Sequence, residues 1–249
     1  MIRLLIVEKS VIICAVFKRL LNDDGNYIFD IAHSYGEAEE FLSKNSYDFA
    51  VGDRTLPDAK DGKVISLLNK HGIAPIVYTK EIDEEFIESF ESANIIDYIL
   101  KHRHDNVVYV LDKLKQLQVN KHISILVVHP SLTYINYLKN NLEIHNFQVI
   151  AVSNAYEALA ELDKHSNIKL MIVEKDLANI KGLDTMNGLQ LVRKIRDTKK
   201  HENLGILSLA SESTSYTTSF FLNEGADDFL IMPFSRDEFY KRIYQNLKD

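Results

Sequence analysis

The sequence predicts two α/β domains in tandem, each a five-stranded parallel sheet with helices on both faces. Three observations carry that expectation. Short apolar runs rich in β-branched and aromatic residues alternate with stretches of helical length, the pattern of parallel strands joined by right-handed crossovers. The alternation then starts again halfway along the 249 residues and repeats the same order. A composition of 46% hydrophobic and 26% charged residues supplies a buried core for each half, and the length suits two compact domains.

The first domain is expected over residues 1–118. It opens on MIRLLIVEKS, a short apolar stretch broken at once by charge, which reads as a buried strand (RLLIV) rather than a secretory leader. A helix follows over 10–21, with Cys14 in its apolar stretch VIICAVF. As the sole cysteine it has no intramolecular disulfide partner, and a buried thiol in a reducing, cytoplasmic setting is expected. Then come YIFDIA, a helix over 36–44, DFAVG, a helix over 63–70, PIVYT, a helix over 84–92, DYIL and a helix over 106–117. The junction QLQVNKH is polar and lacks glycine and proline, so one helix should run almost directly into the next strand.

The second domain is expected over 122–249. Its strands read ISILVV, FQVIAV, KLMIV, GILSLA and DFLI, and its helices cover 132–144, 155–164, 189–197, 214–223 and 236–247. Subtraction checks the register. Glu8 and His129 are 121 apart, as are Asp53 and Glu174; Gly62 and Gly188 are 126 apart; Thr79 and Ala210, Tyr98 and Phe229, and Lys101 and Met232 are each 131 apart. The offset grows only after the third strand and around the third helix, as a duplicated domain with loop insertions predicts.

These residues resemble the receiver domains of two-component response regulators, with the flavodoxin-like (βα)5 fold of the chemotaxis receiver, and the resemblance covers both halves. It implies a carboxylate pocket at the carboxyl ends of the strands, where open α/β sheets bind ligands. In the first half Asp53 is then the phosphoacceptor, followed by the family's turn to a proline (Asp53-Arg-Thr-Leu-Pro). Thr79 and Lys101 contact the phosphoryl group, and Tyr98 is the switch aromatic. Mg²⁺ is expected on Glu8, Asp53 and the backbone carbonyl of Thr55, because a carboxylate attacks a phosphoryl donor when a cation offsets the charge repulsion. A lysine adds a fixed positive charge beside the oxygens.

One departure stands out. Where the family places two acids, this sequence has Glu8-Lys9. An ammonium near Asp53 would pair with it and compete with Mg²⁺, so metal binding is expected to be weak or absent if Lys9 occupies the site. His102 stands where the family usually has proline. Two readings of Asp53 stay open: a working acceptor, or a salt-bridged pocket that never turns over.

The second half keeps the scaffold and drops the chemistry. His129-Pro130 replaces the strand-one acids, Glu174 the aspartate, Ala210 the hydroxyl (with Ser211 beside it) and Met232 the lysine, while Pro233-Phe234 keep the family's ending. It reads as an inert pseudo-receiver. Asp176 and Asp184 read as solvated loop acids, His129 as a structural histidine, and His102-Arg103-His104 as a polar loop. No phosphate-binding loop, dinucleotide fingerprint, nucleophile elbow or zinc-protease motif occurs.

The expected role is phosphorelay signalling: a histidine kinase or phosphotransfer protein as donor, and a possible homodimer through helix 4, strand 5 and helix 5. The net charge of −7 and a pI near 5.7 argue against direct binding of nucleic acid. No run approaches the ~20 apolar residues of a membrane helix. Two alternatives remain. Tandem receivers with a degenerate second copy also resemble the N-terminal regulatory part of diguanylate cyclases, and EFYKRIYQNLKD closes the sequence where such an output domain begins. The other is a phosphorylation-independent scaffold, which Lys9 favours.

Overall fold

The first sheet is built around β1 (Ile2–Val7), which pairs in parallel with β2 (Tyr27–Ala32) on one side and β3 (Phe49–Gly52) on the other. β4 (Pro75–Thr79) and β5 (Asp97–Leu100) extend it, giving the order β2-β1-β3-β4-β5. α1 (Val11–Asp24), α2 (Tyr35–Lys44), α3 (Lys63–Lys70) and α4 (Asn106–Asn120) accompany it. The second sheet repeats the plan. β6 (Ser124–Val128) lies between β7 (Gln148–Val152) and β8 (Ile168–Glu174), and β9 (Gly205–Ala210) and β10 (Asp228–Ile231) complete the order β7-β6-β8-β9-β10. Its helices are α5 (Leu132–Ile144), α6 (Ala155–Lys164), α7 (Gly188–Asp197) and α8 (Arg236–Asn246).

This computed structural model describes residues 1–81, 94–101, 106–177, 186–198, 200–210 and 222–248. The chain divides into two units, Met1–Gln116 and Leu117–Asp249. The helix expected over 84–92 lies outside the described residues, as does all but the end of that over 214–223. So do His102, Arg103, His104, Asp184 and Ser211.

Period-two alternation explains the cores. Along β6, Ile125 and Val127 join one apolar cluster while Leu126 and Val128 join another; along β8, Leu170 and Ile172 split from Met171 and Val173 in the same way. Both faces are therefore covered, as parallel sheets require. Side-chain caps start several of the helices. Ser34 accepts from the Glu37 N–H (3.2 Å), Asn154 from that of Glu157 (3.0 Å) and Asn187 from that of Gln190 (2.9 Å).

Two helix ends differ from expectation by three residues, while other boundaries shift by one. α1 runs three residues past Leu21, because Gly25, left-handed at φ 72°, closes the helix with its N–H on the Leu21 carbonyl. α4 continues to Asn120, leaving only residues 121–123 before β6.

Candidate functional site

Backbone bonds at the carboxyl end of the first sheet set the site. The Asp53 N–H donates to the Val7 carbonyl (2.8 Å), that of Glu8 to Ala32 (2.9 Å) and that of Lys101 to Thr79 (2.8 Å). Three side chains just beyond β1, β3 and β5 thereby point into one pocket.

Two carboxylates and two ammoniums meet there. Lys101 Nζ lies 2.5 Å from Glu8 Oε2 and 2.8 Å from Asp53 Oδ2, with all three side chains buried. None of these three atoms has a directed hydrogen bond, so the contact is charge to charge. The other oxygens are held by backbone: Glu8 Oε1 accepts from the Ser10 N–H (2.8 Å) and Asp53 Oδ1 from that of Thr55 (3.2 Å). Lys9, about one-third exposed, places its Nζ 3.4 Å from Asp53 Oδ2 and donates to the Thr55 carbonyl.

Thr79 is buried, and its hydroxyl donates to the Glu81 carbonyl (3.1 Å) in its own loop. Tyr98 packs half-buried against the apolar cluster around Leu5 and Val77. All the expected site residues thus lie at or beside this sheet end. Three partners were not expected. The Tyr78 ring lies 5.2 Å from Lys101 Nζ. His33 Nδ1 (3.0 Å) and Cys14 Sγ (3.2 Å) both donate to the Glu8 carbonyl. Burial, with the Glu8 charge, pushes the Cys14 thiol up to about 11, so it is a packed and unreactive group. Alternation within PIVYT could have singled out Tyr78; nothing local links His33 to Glu8.

The second unit keeps the frame without the charges. The Met232 N–H donates to the Ala210 carbonyl (2.8 Å), matching Lys101 on Thr79, and the His129 N–H donates to Val152 (3.1 Å). Met232 packs beside the cluster of Ile172 and Phe239. His129 Nδ1 accepts from the Ser131 N–H (2.9 Å), and its ring lies on Tyr134, centroids 4.8 Å apart. Glu174 Oε1 accepts from the Lys175 N–H (2.9 Å); its Oε2 stands 3.7 Å from His129 Nε2, too far for a hydrogen bond. Burial raises the Glu174 carboxyl and lowers the His129 imidazole, favouring the neutral form of each.

Mg²⁺ does not fit the residues as they stand. A hard divalent ion seeks about six oxygens near 2.1 Å. Here Glu8 Oε2, Asp53 Oδ2 and the Thr55 carbonyl each face a lysine ammonium instead. Among the described residues, no group of three or more His, Cys, Asp or Glu is placed to hold a metal.

Comparison with known proteins agrees with this fold. Residues 125–244 match the family model "Response regulator receiver domain". A chemotaxis protein CheY homolog of Campylobacter jejuni is 28% identical over 114 residues, 45% of this chain and 83% of that protein. The response regulator ArlR of Staphylococcus haemolyticus is 30% identical over 122 residues, 48% of this chain and 50% of that protein. Two solved structures, each described as a two-component system response regulator/GGDEF domain protein, align over 99% of this chain and 98% of their own. Both are 28% identical to it, with TM-scores of 0.79 and 0.80.

Proposed function

We propose that phosphoryl transfer to Asp53 is the input to this chain, which belongs to the response-regulator receivers of two-component signalling. Receivers of this family take the group from histidine kinases or phosphotransfer proteins, and such a protein is the donor here. One observation carries the reading. Asp53 is a buried carboxylate at the tip of the third strand with one oxygen against the buried Lys101 ammonium, and the next-but-one residue's N–H holds the other. That leaves Oδ2 as the nucleophile, beside positive charge that the arriving phosphoryl oxygens share.

The Thr79 hydroxyl, now on the Glu81 carbonyl, swings toward the acyl phosphate, and Tyr98 follows it, remodelling the surface around β5 and α4. That local charge change biases a two-state surface, through which two copies of the chain pair. The second unit, with Met232 in place of the strand-five lysine and His129-Pro130 in place of the strand-one acids, serves as an adaptor or dimerisation module. The protein works in the cytoplasm; among the described residues no helix is long and apolar enough to cross a membrane.

A second reading has one observation in its favour. The two structures that match this chain nearly end to end are described as response regulator/GGDEF proteins, so the pair of units serves as the regulatory part of a diguanylate cyclase. The described residues themselves form only receiver folds.

The test is intact-mass measurement after treatment with phosphoramidate, a small phosphoryl donor. A one-phosphoryl mass increase that disappears in Asp53→Asn is expected; an unmodified wild-type chain overturns the reading.

A further inference from the structure

Among the described residues, the ion-paired groups around Asp53 balance one for one. Glu8 and Asp53 bring two negative charges, Lys101 and Lys9 two positive ones, all within a few ångströms. We infer that Lys9 is the resident cation of this pocket and that phosphoryl transfer to Asp53 proceeds without a divalent metal ion. The inference rests on the reading of Asp53 as phosphoacceptor given above, and it adds what neutralises the transfer.

Position comes first. Lys9 Nζ spans Asp53 Oδ2 and the Thr55 carbonyl, two of the three atoms expected to ligate a metal, while Lys101 takes Glu8 Oε2 and the same Asp53 oxygen. The strand-one turn aims Lys9. The Glu8 N–H is fixed on Ala32, the Ser10 N–H on Glu8 Oε1, and Lys9 lies between these two anchored residues. Charge comes second. A pocket of zero net charge has little to offer a doubly charged ion, which must also give up tightly held water.

The two lysines are not equivalent. Lys101 is buried and committed between both carboxylates. Lys9 is partly exposed on a flexible stem, so its ammonium can follow the incoming oxygens.

The step balances without a metal. Asp53 Oδ2 attacks the phosphorus of an N-protonated phosphoimidazole. The new O–P bond forms as the P–N bond breaks, and the imidazole leaves neutral with the bonding pair. Asp53 passes from one negative charge to the two of an acyl phosphate, which Lys9 and Lys101 face together.

The experiment uses the whole chain and phosphoramidate, whose ammonia leaves as the imidazole would, with excess Mg²⁺ or excess EDTA. Intact mass and a phosphate-affinity gel report the modification. The wild type is expected to be modified equally in both. Lys9→Met should slow modification on the order of a hundredfold in both, the loss typical of one electrostatic partner, with circular dichroism showing the fold kept. Lys9→Asp should restore modification only when Mg²⁺ is present, and calorimetric Mg²⁺ titration should show saturable heat for that variant and none for wild type; a structural role alone would not move that dependence. Wild-type modification only with Mg²⁺ overturns the inference and leaves Asp53 as acceptor. Full-rate modification of Lys9→Met also overturns it. No modification of the wild type in either buffer overturns the phosphoacceptor reading and the inference with it.

Discussion

Lys101 is the only ammonium against Glu8 Oε2 among the described ion pairs, and it also holds Asp53 Oδ2. Removing one partner of a buried ionic cluster strands the rest in a medium that solvates them poorly, a cost of about 3–5 kcal/mol. Lys101→Met is therefore expected to lose that much stability in urea denaturation. Adding Glu8→Gln and Asp53→Asn should recover most of it; a Lys101→Met chain as stable as wild type would mean water reaches both carboxylates. Glu174 in the second unit behaves differently, since among the described residues no lysine or arginine is ion-paired with it and burial raises its carboxyl above the usual 4.5. An acid that binds its proton more tightly when folded favours the fold while both states are protonated. That contribution drains away as pH climbs from the unfolded value through the folded one. Glu174→Gln, neutral throughout and able to keep the Lys175 bond, should be more stable than wild type at neutral pH, with the gain vanishing below about pH 4.5. Thermal melts across that range check it; a gain independent of pH would contradict a buried carboxyl. His129 has the opposite sign, because burial holds its imidazole below 6.5 and stability is lost as pH falls through that range.

At the scale of elements, the turn from third strand to third helix shows duplication and divergence together. Gly62 N–H donates to Arg54 (3.0 Å) and Gly188 N–H to Lys175 (2.8 Å), the same bond in both units across an insertion. The two glycines are needed for different reasons. Gly62 sits at φ 74° with only ordinary contacts, so Gly62→Ala should cost about 1–2 kcal/mol of left-handed strain. At Gly188 a Cβ would meet the Glu174 carbonyl oxygen at 2.2 Å, and overpacking of that kind costs about 1–3 kcal/mol or more. Asparagine separates the causes. It tolerates the left-handed region, so Gly62→Asn should be milder than Gly62→Ala, while Gly188→Asn should be worse than Gly188→Ala; equal ranks at both sites in denaturation would refute the distinction. Much at this scale was legible beforehand, because short apolar runs alternating with stretches of helical length are local signals. YIFDIA, PIVYT, GILSLA and DFLI are strands over those residues. The end of α1 was missed because a glycine cap, not the apolar pattern, sets it. In the site, the sequence located the charged side chains and the pairing of Lys9 with Asp53, but not the placement of Lys101 between both carboxylates. Whether Lys9 faces solvent or the Thr55 carbonyl depends on two loops 46 residues apart, and the hold of His33 on Glu8 crosses 25.

Across the whole molecule, scaffold and chemistry separate. Both units keep the strand order, with a central strand flanked by the second and third. Both also keep the bond from the residue after strand five to the end of strand four at 2.8 Å. On the function proposed above, side chains alone would decide which unit reacts, as expected when function resides in a site carried by a fold. In the first unit a buried carboxylate meets two ammoniums; in the second a buried Glu174 meets an imidazole, both pushed toward neutrality, and Met232 stands where the lysine would be. Burial disfavours the carboxylate form that would attack, and among the described residues no fixed cation is ion-paired there to share the charge of an arriving phosphoryl group. The chain should therefore take up one phosphoryl group, not two, however long the exposure to phosphoramidate. Intact mass should plateau at a single addition, peptide mapping should place it at Asp53, and Asp53→Asn should show none. A second addition, mapping to the tip of β8, would mean that Glu174 ionises and finds a counter-charge which the buried His129 pair does not provide.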